Sequence, residues 1–458
     1  MIKRSLTQIA KMVSATNDIT PFAETIIEGV VIDSRKIEAG NLFVPFKGEH
    51  ADGHKYVEES IRKGAAAAFW QSDVPNPPAD LPLLIVDDCL TALQELARNY
   101  REELDVKVVG ITGSNGKTTT KDLTAGLLST QYKIQKTEGN YNNQLGLPLT
   151  VLGLEEDTEI AVLEMGMSGR GEIEFLTKLA CPDAVVITNI GESHLLDLGS
   201  REGIAEAKLE ILQGLKSGGL AVLNGDEPLL MERIQQHEGN IQLQTFGRSD
   251  RNDLFPTEIT QLKHGNRFKI NASSENFELP VLGNHNILNA LAAMLIAKHF
   301  SIPFEKMNSG FAGIKLTNMR MELVEGSRGE KIINDAYNAS PTSMMAAIEL
   351  VSNLQGYERK ILVLGDMLEL GPQEEQYHLQ IGKGLDPNKI DLLFTYGSLG
   401  EHIAAGARPV LGDKNVLAFK NKQTLLQELI EHVDENTLVL VKASRGMKLE
   451  EIVTSLQK

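Results

Sequence analysis

A short apolar run, KVVGI, leads without a break into Thr112-Gly113-Ser114-Asn115-Gly116-Lys117-Thr118-Thr119, and after Thr120 comes the segment KDLTAGLLST. A strand, a glycine-rich turn and a helix in that order leave few folds open. The glycines let backbone N–H groups turn inward, and the helix N-terminus adds positive potential at the same point. Such a concavity suits phosphate oxygens. Gly113, Ser114, Asn115, Gly116 and Thr119 shape the loop, Lys117 can reach the β and γ phosphates, and Thr118 can ligate Mg²⁺. The spacing is a GxxGKT variant of the strict GxxxxGK[ST] pattern, because Ile111 stands where the first glycine belongs and Gly110 lies one step earlier. ATP and Mg²⁺ are the expected ligands.

The flanking sequence supplies a sheet for this loop. From Val106 onward, KVVGITGS, IAVLEMG, AVVITNIG and LAVLNGD alternate with helical segments, the pattern of a parallel sheet covered by helices. Weaker, shorter strands and the apolar helix ILNALAAMLIAKHF follow, and the rhythm restarts with KIINDAY, KILVLGD, DLLFTYG, VLAF and TLVLVKAS. Before the loop lie the strands VVIDS and LFVPF, a helical VEESIRKGAAAAF, the Pro-rich connector SDVPNPPADLP and the strand LLIVDD. Asp87 and Asp88 of that last strand mimic a Walker B end but precede the loop, so they read as structural. The expected fold is α/β in three domains: a small N-terminal unit over 1–100, a central phosphate-loop domain over 101–314, and a Rossmann-like doubly wound domain over 315–458. No GxGxxG follows a strand in the C-terminal half, which speaks against a dinucleotide site there.

Composition removes other classes. No apolar run reaches 18 residues, and MIKRSLTQIAKMVSATND spaces Leu6, Ile9, Ala10 and Val13 as an amphipathic helix. Neither a signal peptide nor a membrane span is expected, and the cytoplasm is the expected location. A net charge of -17 without a long Lys/Arg run excludes a nucleic-acid surface. Cys89 and Cys181 lack CxxC spacing and read as inert core thiols.

Glu164 and His194 fall at or just past the ends of IAVLE and AVVITNI, where open parallel sheets place ligands. Both could join Thr118 around Mg²⁺, although Mg²⁺ prefers oxygen donors. In REGIAEAKLEILQGL, Ile204, Ile211, Leu212 and Leu215 form an apolar stripe that includes Lys208. Two readings stay open for Lys208: a snorkelling stem over the core, or a desolvated neutral amine able to take up CO₂ as a carbamate.

Eight segments, GITGSNGKTTT, EGNYNNQLGLP, VLEMGMSGRGEI, SHLLDLGSREGIAEAKLEI, LGNHNILNALAA, NMRMEL, INDAYNASPTSM and VLGDMLELG, resemble those of the muramyl ligases. These are ATP-dependent amide-bond ligases of bacterial cell-wall synthesis, which activate a carboxylate of a UDP-linked precursor as an acyl phosphate. The resemblance spans essentially the whole chain. It implies that Lys117 and Arg320 act on the γ-phosphoryl, that Thr118, Glu164 and His194 hold metal, and that Lys208 is carbamylated. Asn286 and Asn289 match positions on the adenine side of ATP, while Asp335 and Asn338 match ribose and nucleotide contacts.

Within the family, Asp33-Ser34-Arg35 and Asp52-Gly53-His54 resemble the uridine-binding front domain of the later-acting ligases, making Ser34 and Arg35 the implied UDP contacts. A surface turn is the plain alternative for that segment. Asn140, Asn142, Asn143, Ser168 and Arg170 are the implied contacts to the sugar-peptide. YNASPTSM and GDMLELG are similar to the branch that adds D-alanyl-D-alanine to UDP-N-acetylmuramoyl-tripeptide, and the DNPR tetrapeptide of the diamino-acid-adding branch is absent. The partners so implied are small molecules, with no nucleic acid, no membrane insertion and a monomeric enzyme. Folylpolyglutamate synthase lacks the front domain, and a phosphate-loop kinase would release a stable phosphorylated product instead of free phosphate.

Overall fold

The computed structural model describes residues 1–48 and 52–458. Lys107–Thr112 is an inner strand of a six-stranded sheet, lying between the parallel strands Ala184–Ile187 and Ile160–Glu164. Leu220–Asn224 and Gln242–Phe246 extend the sheet on the first side, and Ile134–Lys136 closes it on the other. The chain leaves Lys107–Thr112 toward one edge and later crosses to the other, so the phosphate loop emerges where the strand order reverses. Open α/β sheets leave a crevice for ligands at such points. All but Lys107 of KVVGIT is buried, as a strand covered by helices on both faces requires.

The helix Lys117–Leu128 continues from the loop and packs with the helix His285–His299 on one face of the sheet. His285–His299 is apolar on nearly every side because its outer face is covered too, by the antiparallel strands Pro256–Leu262, Gly265–Ile270 and Ser273–Leu279 and the helix Phe304–Ala312. The opposite face of the sheet shares a continuous core with the N-terminal unit through the helix Cys89–Glu103. That unit carries four parallel strands, Val30–Val31, Leu42–Phe43, Ala67–Gln71 and Leu83–Val86, beside the short antiparallel pair Lys3–Ser5 and Ile26–Glu28.

The C-terminal sheet runs, in spatial order, Glu322–Glu325, Lys331–Asn334, Thr437–Lys442, Arg359–Gly365, Leu392–Tyr396 and Val416–Phe419. Only Glu322–Glu325 is antiparallel to its neighbour. Among the described residues no helix is long and apolar enough to cross a membrane.

Three local expectations need correction. VEESIRKGAAAAF is helical only over Val57–Arg62: Gly64, at φ +117, ends it, and the following alanines enter the buried strand Ala67–Gln71. The helix bearing Lys208 stops at Leu209 and tightens to a 3₁₀ turn over Glu210–Gly214. There the Thr177 hydroxyl donates to the Ile211 carbonyl at 2.8 Å, and a side chain at Gly214 would collide with Thr177. Ile204, Lys208, Ile211 and Leu212 are nonetheless all buried, but Leu215 lies beyond the turn. Of the two thiols only Cys89 is a core residue, its pKa pushed up to about 12 by burial; Cys181 is half-buried and ends the helix Glu172–Ala180 in a left-handed conformation.

Arg101 fastens the helix Cys89–Glu103 to the central sheet. Its buried guanidinium donates to the carbonyls of Ala180 at 3.0 Å, Val106 at 3.2 Å and Leu104 at 3.4 Å. Replacing it with methionine keeps the stem but strands three buried carbonyls, so Arg101→Met is expected to destabilise the chain by about 2–4 kcal/mol. Urea unfolding checks this against the exposed Arg98→Met, which should be near neutral; equal midpoints would show that Arg101 does not fasten the two.

Candidate active site

Turning the chain from strand to helix within a few residues forces Gly113 and Gly116 to φ +146 and +80. A Cβ on Gly116 would lie 2.5 Å from Asn289 Oδ1, and one on Gly113 would collide with the Thr188 hydroxyl. The end of the neighbouring strand then pins the loop. Asn115 N donates to Asn189 Oδ1 at 3.0 Å, while its carbonyl accepts from Thr188 Oγ1 at 2.6 Å and Asn189 Nδ2 at 3.0 Å. Lys117 folds back over the loop, donating to the carbonyls of Gly113 at 2.7 Å and Ser114 at 3.3 Å. Desolvation lowers its pKa to about 8, against the opposing pull of Glu164.

This loop forms the floor of a cleft of about 500 Å³. Glu164 contributes a buried carboxylate: Oε1 accepts from Asn142 Nδ2 at 2.8 Å, and Oε2 has no hydrogen-bond partner among the described residues. An orphaned carboxylate oxygen in the cleft that Thr118 also lines fits Mg²⁺, which commonly uses one protein carboxylate and completes its shell with phosphate oxygens and water. No group of three or more His, Cys, Asp and Glu gathers anywhere among the described residues, so no all-protein metal cage competes with that arrangement. His194 lines the same cleft at φ +64. Its Nδ1 lies 2.9 Å from Glu369 Oε2, close enough for an ion pair but off line for a hydrogen bond. Burial, then the charge of Lys117, hold its pKa below the ordinary range.

Across the cleft stand groups from the C-terminal sheet and from the chain leading into it. Arg320 Nη2 donates to Thr118 Oγ1 at 3.3 Å, with the guanidinium 4.0 Å from the ring centre of Tyr337. Asp335, just past the strand Lys331–Asn334, pairs with Lys442 Nζ at 2.5 Å, and the same ammonium donates to the Asn338 carbonyl at 3.0 Å. Ser340 Oγ donates to Asn115 Oδ1 at 3.3 Å, and Thr342 Oγ1 to Glu192 Oε2 at 2.7 Å, so the two sheets meet directly over the loop. Asn286 and Asn289 share one helix face and line the cleft. Asn289 donates to Asn286 Oδ1 at 2.8 Å, and Asn286 donates to the Leu282 carbonyl at 2.7 Å. Beside them His285 is kept neutral, its pKa pushed down to about 4 chiefly by desolvation.

The structure thus gathers Ser114 to Thr119, Glu164, His194, Asn142, Asn143, Ser168, Asn286, Asn289, Arg320, Asp335 and Asn338 around one cleft. Gly113 supports the loop from behind. Asn143 Oδ1 accepts from Leu145 N at 3.2 Å and Gly146 N at 2.8 Å, so its side-chain oxygen is taken up by the turn that starts the helix Gly146–Leu152. Asn140 and Arg170 do not line the cleft, and Arg170 is paired with Glu206 at 2.8 Å. Ser34 and Arg35 lie away from it as well. There Asp33 Oδ1 accepts from the Arg35 backbone at 3.0 Å while its carboxylate pairs with the guanidinium at 2.8 Å, an exposed surface turn.

Lys208 also falls outside the lining. It is 1 % exposed, without a hydrogen bond or ion pair among the described residues, and burial together with the charge of Lys117 holds its pKa well below the usual lysine range. Thr188, Asn189, Tyr337 and Lys442 line the cleft and were not singled out in the sequence. The signal was there for three of them, since Thr188-Asn189 and Lys442 are polar residues at the carboxyl ends of apolar strands.

Comparison with known proteins gives matches to three family descriptions: "Mur ligase family, catalytic domain" over 26–101, "Mur ligase middle domain" over 111–297, and "Mur ligase, glutamate ligase domain" over 319–445. The chain is 52% identical to the UDP-N-acetylmuramoyl-tripeptide--D-alanyl-D-alanine ligase of Bacillus subtilis (strain 168), covering 100% of this chain and 99% of that one. A crystal structure of MurF from Acinetobacter baumannii superimposes with a TM-score of 0.89 at 30% identity, covering 100% of this chain and 99% of that one. MurF ligase from Thermotoga maritima in complex with ADP gives a TM-score of 0.81 at 28% identity over 94% of this chain and 97% of that one.

The left-handed turn at Gly116 makes a specific demand. Gly116→Ala adds backbone strain and a collision with Asn289, and should weaken ADP binding by roughly 10-fold or more while the far-ultraviolet spectrum stays unchanged. Calorimetric titration reads the affinity; wild-type affinity would mean that the loop conformation is not what binds nucleotide.

Proposed function

The chain belongs to the Mur ligase family, and on that premise we propose that it joins D-alanyl-D-alanine to UDP-N-acetylmuramoyl-tripeptide through an acyl phosphate, converting ATP to ADP and phosphate. One observation carries this reading: the phosphate loop of one sheet, Asp335 and Lys442 of another, and Arg320 of the chain between them converge on a single cleft. It is supported by the 52% identity, over the whole chain, to a ligase of that activity.

The loop N–H groups receive the ATP phosphates, and Lys117 and Arg320 bracket the γ-phosphoryl group from opposite sides of the cleft. A carboxylate oxygen of the tripeptide attacks the γ-phosphorus in line, and ADP leaves with the electron pair of the broken P–O bond. The free amine of D-alanyl-D-alanine then attacks the activated carbonyl. Phosphate departs with the former carboxylate oxygen, and the amine proton passes to solvent. Mg²⁺ held by Thr118, Glu164 and His194 would neutralise charge on the transferring phosphoryl group. Lys208, buried and unpaired, is the candidate for carbamylation, which would supply a further carboxylate-like donor.

Asn286 and Asn289 take the adenine side, and Asp335 and Asn338 make the ribose and nucleotide contacts. Uridine falls to Ser34 and Arg35, and the sugar-peptide to Asn140, Asn142, Asn143, Ser168 and Arg170. The three units 1–100, 101–314 and 315–458 then divide the work into UDP binding, ATP binding and closure. ATP as co-substrate assigns the enzyme to the cytoplasm, where it works as a monomer on small molecules.

Phosphate release should require ATP, UDP-N-acetylmuramoyl-tripeptide and D-alanyl-D-alanine together, with a pentapeptide product by mass spectrometry. Release that ignores the dipeptide would sink the proposal. Lys117→Ala should lose roughly 10²-fold or more in turnover, the effect of removing one strong transition-state donor. Lys208→Ala should be inactive and partly restored by short carboxylates such as acetate; full activity without them would remove the carbamate.

A further inference from the structure

The chain that joins the central and C-terminal sheets is clamped at one end and strained in the middle. Asp122, buried on the helix that follows the phosphate loop, accepts at Oδ2 from the Thr317 backbone N–H at 2.8 Å and from its hydroxyl at 2.9 Å. Its other oxygen accepts from Lys136 Nζ at 2.6 Å and lies 3.4 Å from Lys121 Nζ. Thr317 is thereby tied to the element that carries Lys117 and Thr118. Two residues on, Met319 adopts φ +61 and Met321 φ +52, with Arg320 between them. Left-handed backbone is rare for side chains other than Gly, Asn and Asp, and here it occurs twice within three residues. The far end is held as well: Met319 N donates to Glu322 Oε2 at 3.0 Å, and Met321 N to Asp335 Oδ1 at 3.1 Å.

Strain of this kind persists only where the surroundings over-determine it, and it gathers at functional sites. The two anchors supply that determination, and what they fix between them is the direction of one guanidinium. We infer that Asp122 and Thr317 form a positioning clamp, and that the left-handed pair Met319 and Met321 aims Arg320 at the phosphate loop. None of the four needs to touch the transferred phosphoryl group to set the rate of its transfer. The inference rests on the reading of Arg320 as a γ-phosphate contact. A clamp that only held the fold together would change stability and nucleotide binding alongside turnover. A clamp that aims Arg320 lowers turnover and leaves ADP binding to the loop intact.

The full-length enzyme in Met319→Val, Met319→Asn, Thr317→Val, Thr317→Ser and Arg320→Ala forms separates these cases, with kcat read from phosphate release and affinity from ADP calorimetry. Valine, branched at Cβ, resists the left-handed conformation, so Met319→Val should lose roughly 10-fold in kcat with ADP affinity within about twofold of wild type. Asparagine tolerates that conformation, and Met319→Asn should keep most of the turnover. Thr317→Val should fall in the same direction as Met319→Val, and Thr317→Ser, which retains the hydroxyl, should recover. Wild-type kcat in both valine variants beside an impaired Arg320→Ala would overturn the clamp and leave the ligase reading standing. A parallel fall in kcat and ADP affinity would overturn it too, as a defect of the fold. Wild-type turnover in Arg320→Ala would remove the role of Arg320 on which the clamp depends.

Discussion

The shape of the loop between Gly113 and Gly116 is the constraint from which the remaining arrangement follows. It is set from outside the loop: the end of the adjacent strand Ala184–Ile187 supplies Thr188 and Asn189, whose hydrogen bonds to Asn115 hold the turn open toward the cleft. A parallel sheet whose strand order reverses at this strand leaves a crevice there. The loop can bind phosphate because the sheet beneath it is rigid and buried on both faces.

A chain with a net charge of -17 must meet a polyanionic ligand with local cations. Lys117 from the loop, Arg320 from the chain joining the two sheets and Lys442 from the second sheet supply them, and Glu164 and Asp335 keep the cleft from being uniformly positive. Cations contributed by two sheets make the site conditional on their approach. The contacts of Ser340 with Asn115 and of Thr342 with Glu192 hold the sheets together over the loop. Enclosure of this kind also strengthens electrostatics by excluding water, which matters for a reactive acyl phosphate.

Periodicity and strand-end chemistry made much of this legible in the sequence. The long parallel strands were readable because each is a continuous apolar run ending in Gly or a polar residue, and the loop because its glycines have a fixed mechanical purpose. The short edge strands Ile134–Lys136 and Glu322–Glu325 were not, since three or four half-buried residues carry no resolvable period. Alanine hid the strand Ala67–Gln71, being a strong helix former that burial between two strands overrides. Lys208 was legible as a buried lysine from its stripe, but the break at Glu210 was not, because it answers to Thr177 on another helix. Thr188 and Lys442 could have been found by extending to every strand the rule that singled out Glu164. Tyr337 could not, since its place beneath Arg320 depends on the path of the chain that leads into the second sheet.

The central claim is that the carboxylate is activated by direct phosphorylation in this cleft, and isotope transfer tests it most directly. UDP-N-acetylmuramoyl-tripeptide labelled with ¹⁸O in its terminal carboxylate is turned over with ATP and D-alanyl-D-alanine, and the released phosphate is weighed by mass spectrometry. The account predicts one labelled oxygen in each phosphate, carried across when the amine displaces it from the acyl phosphate. Unlabelled phosphate alongside normal pentapeptide formation would contradict it.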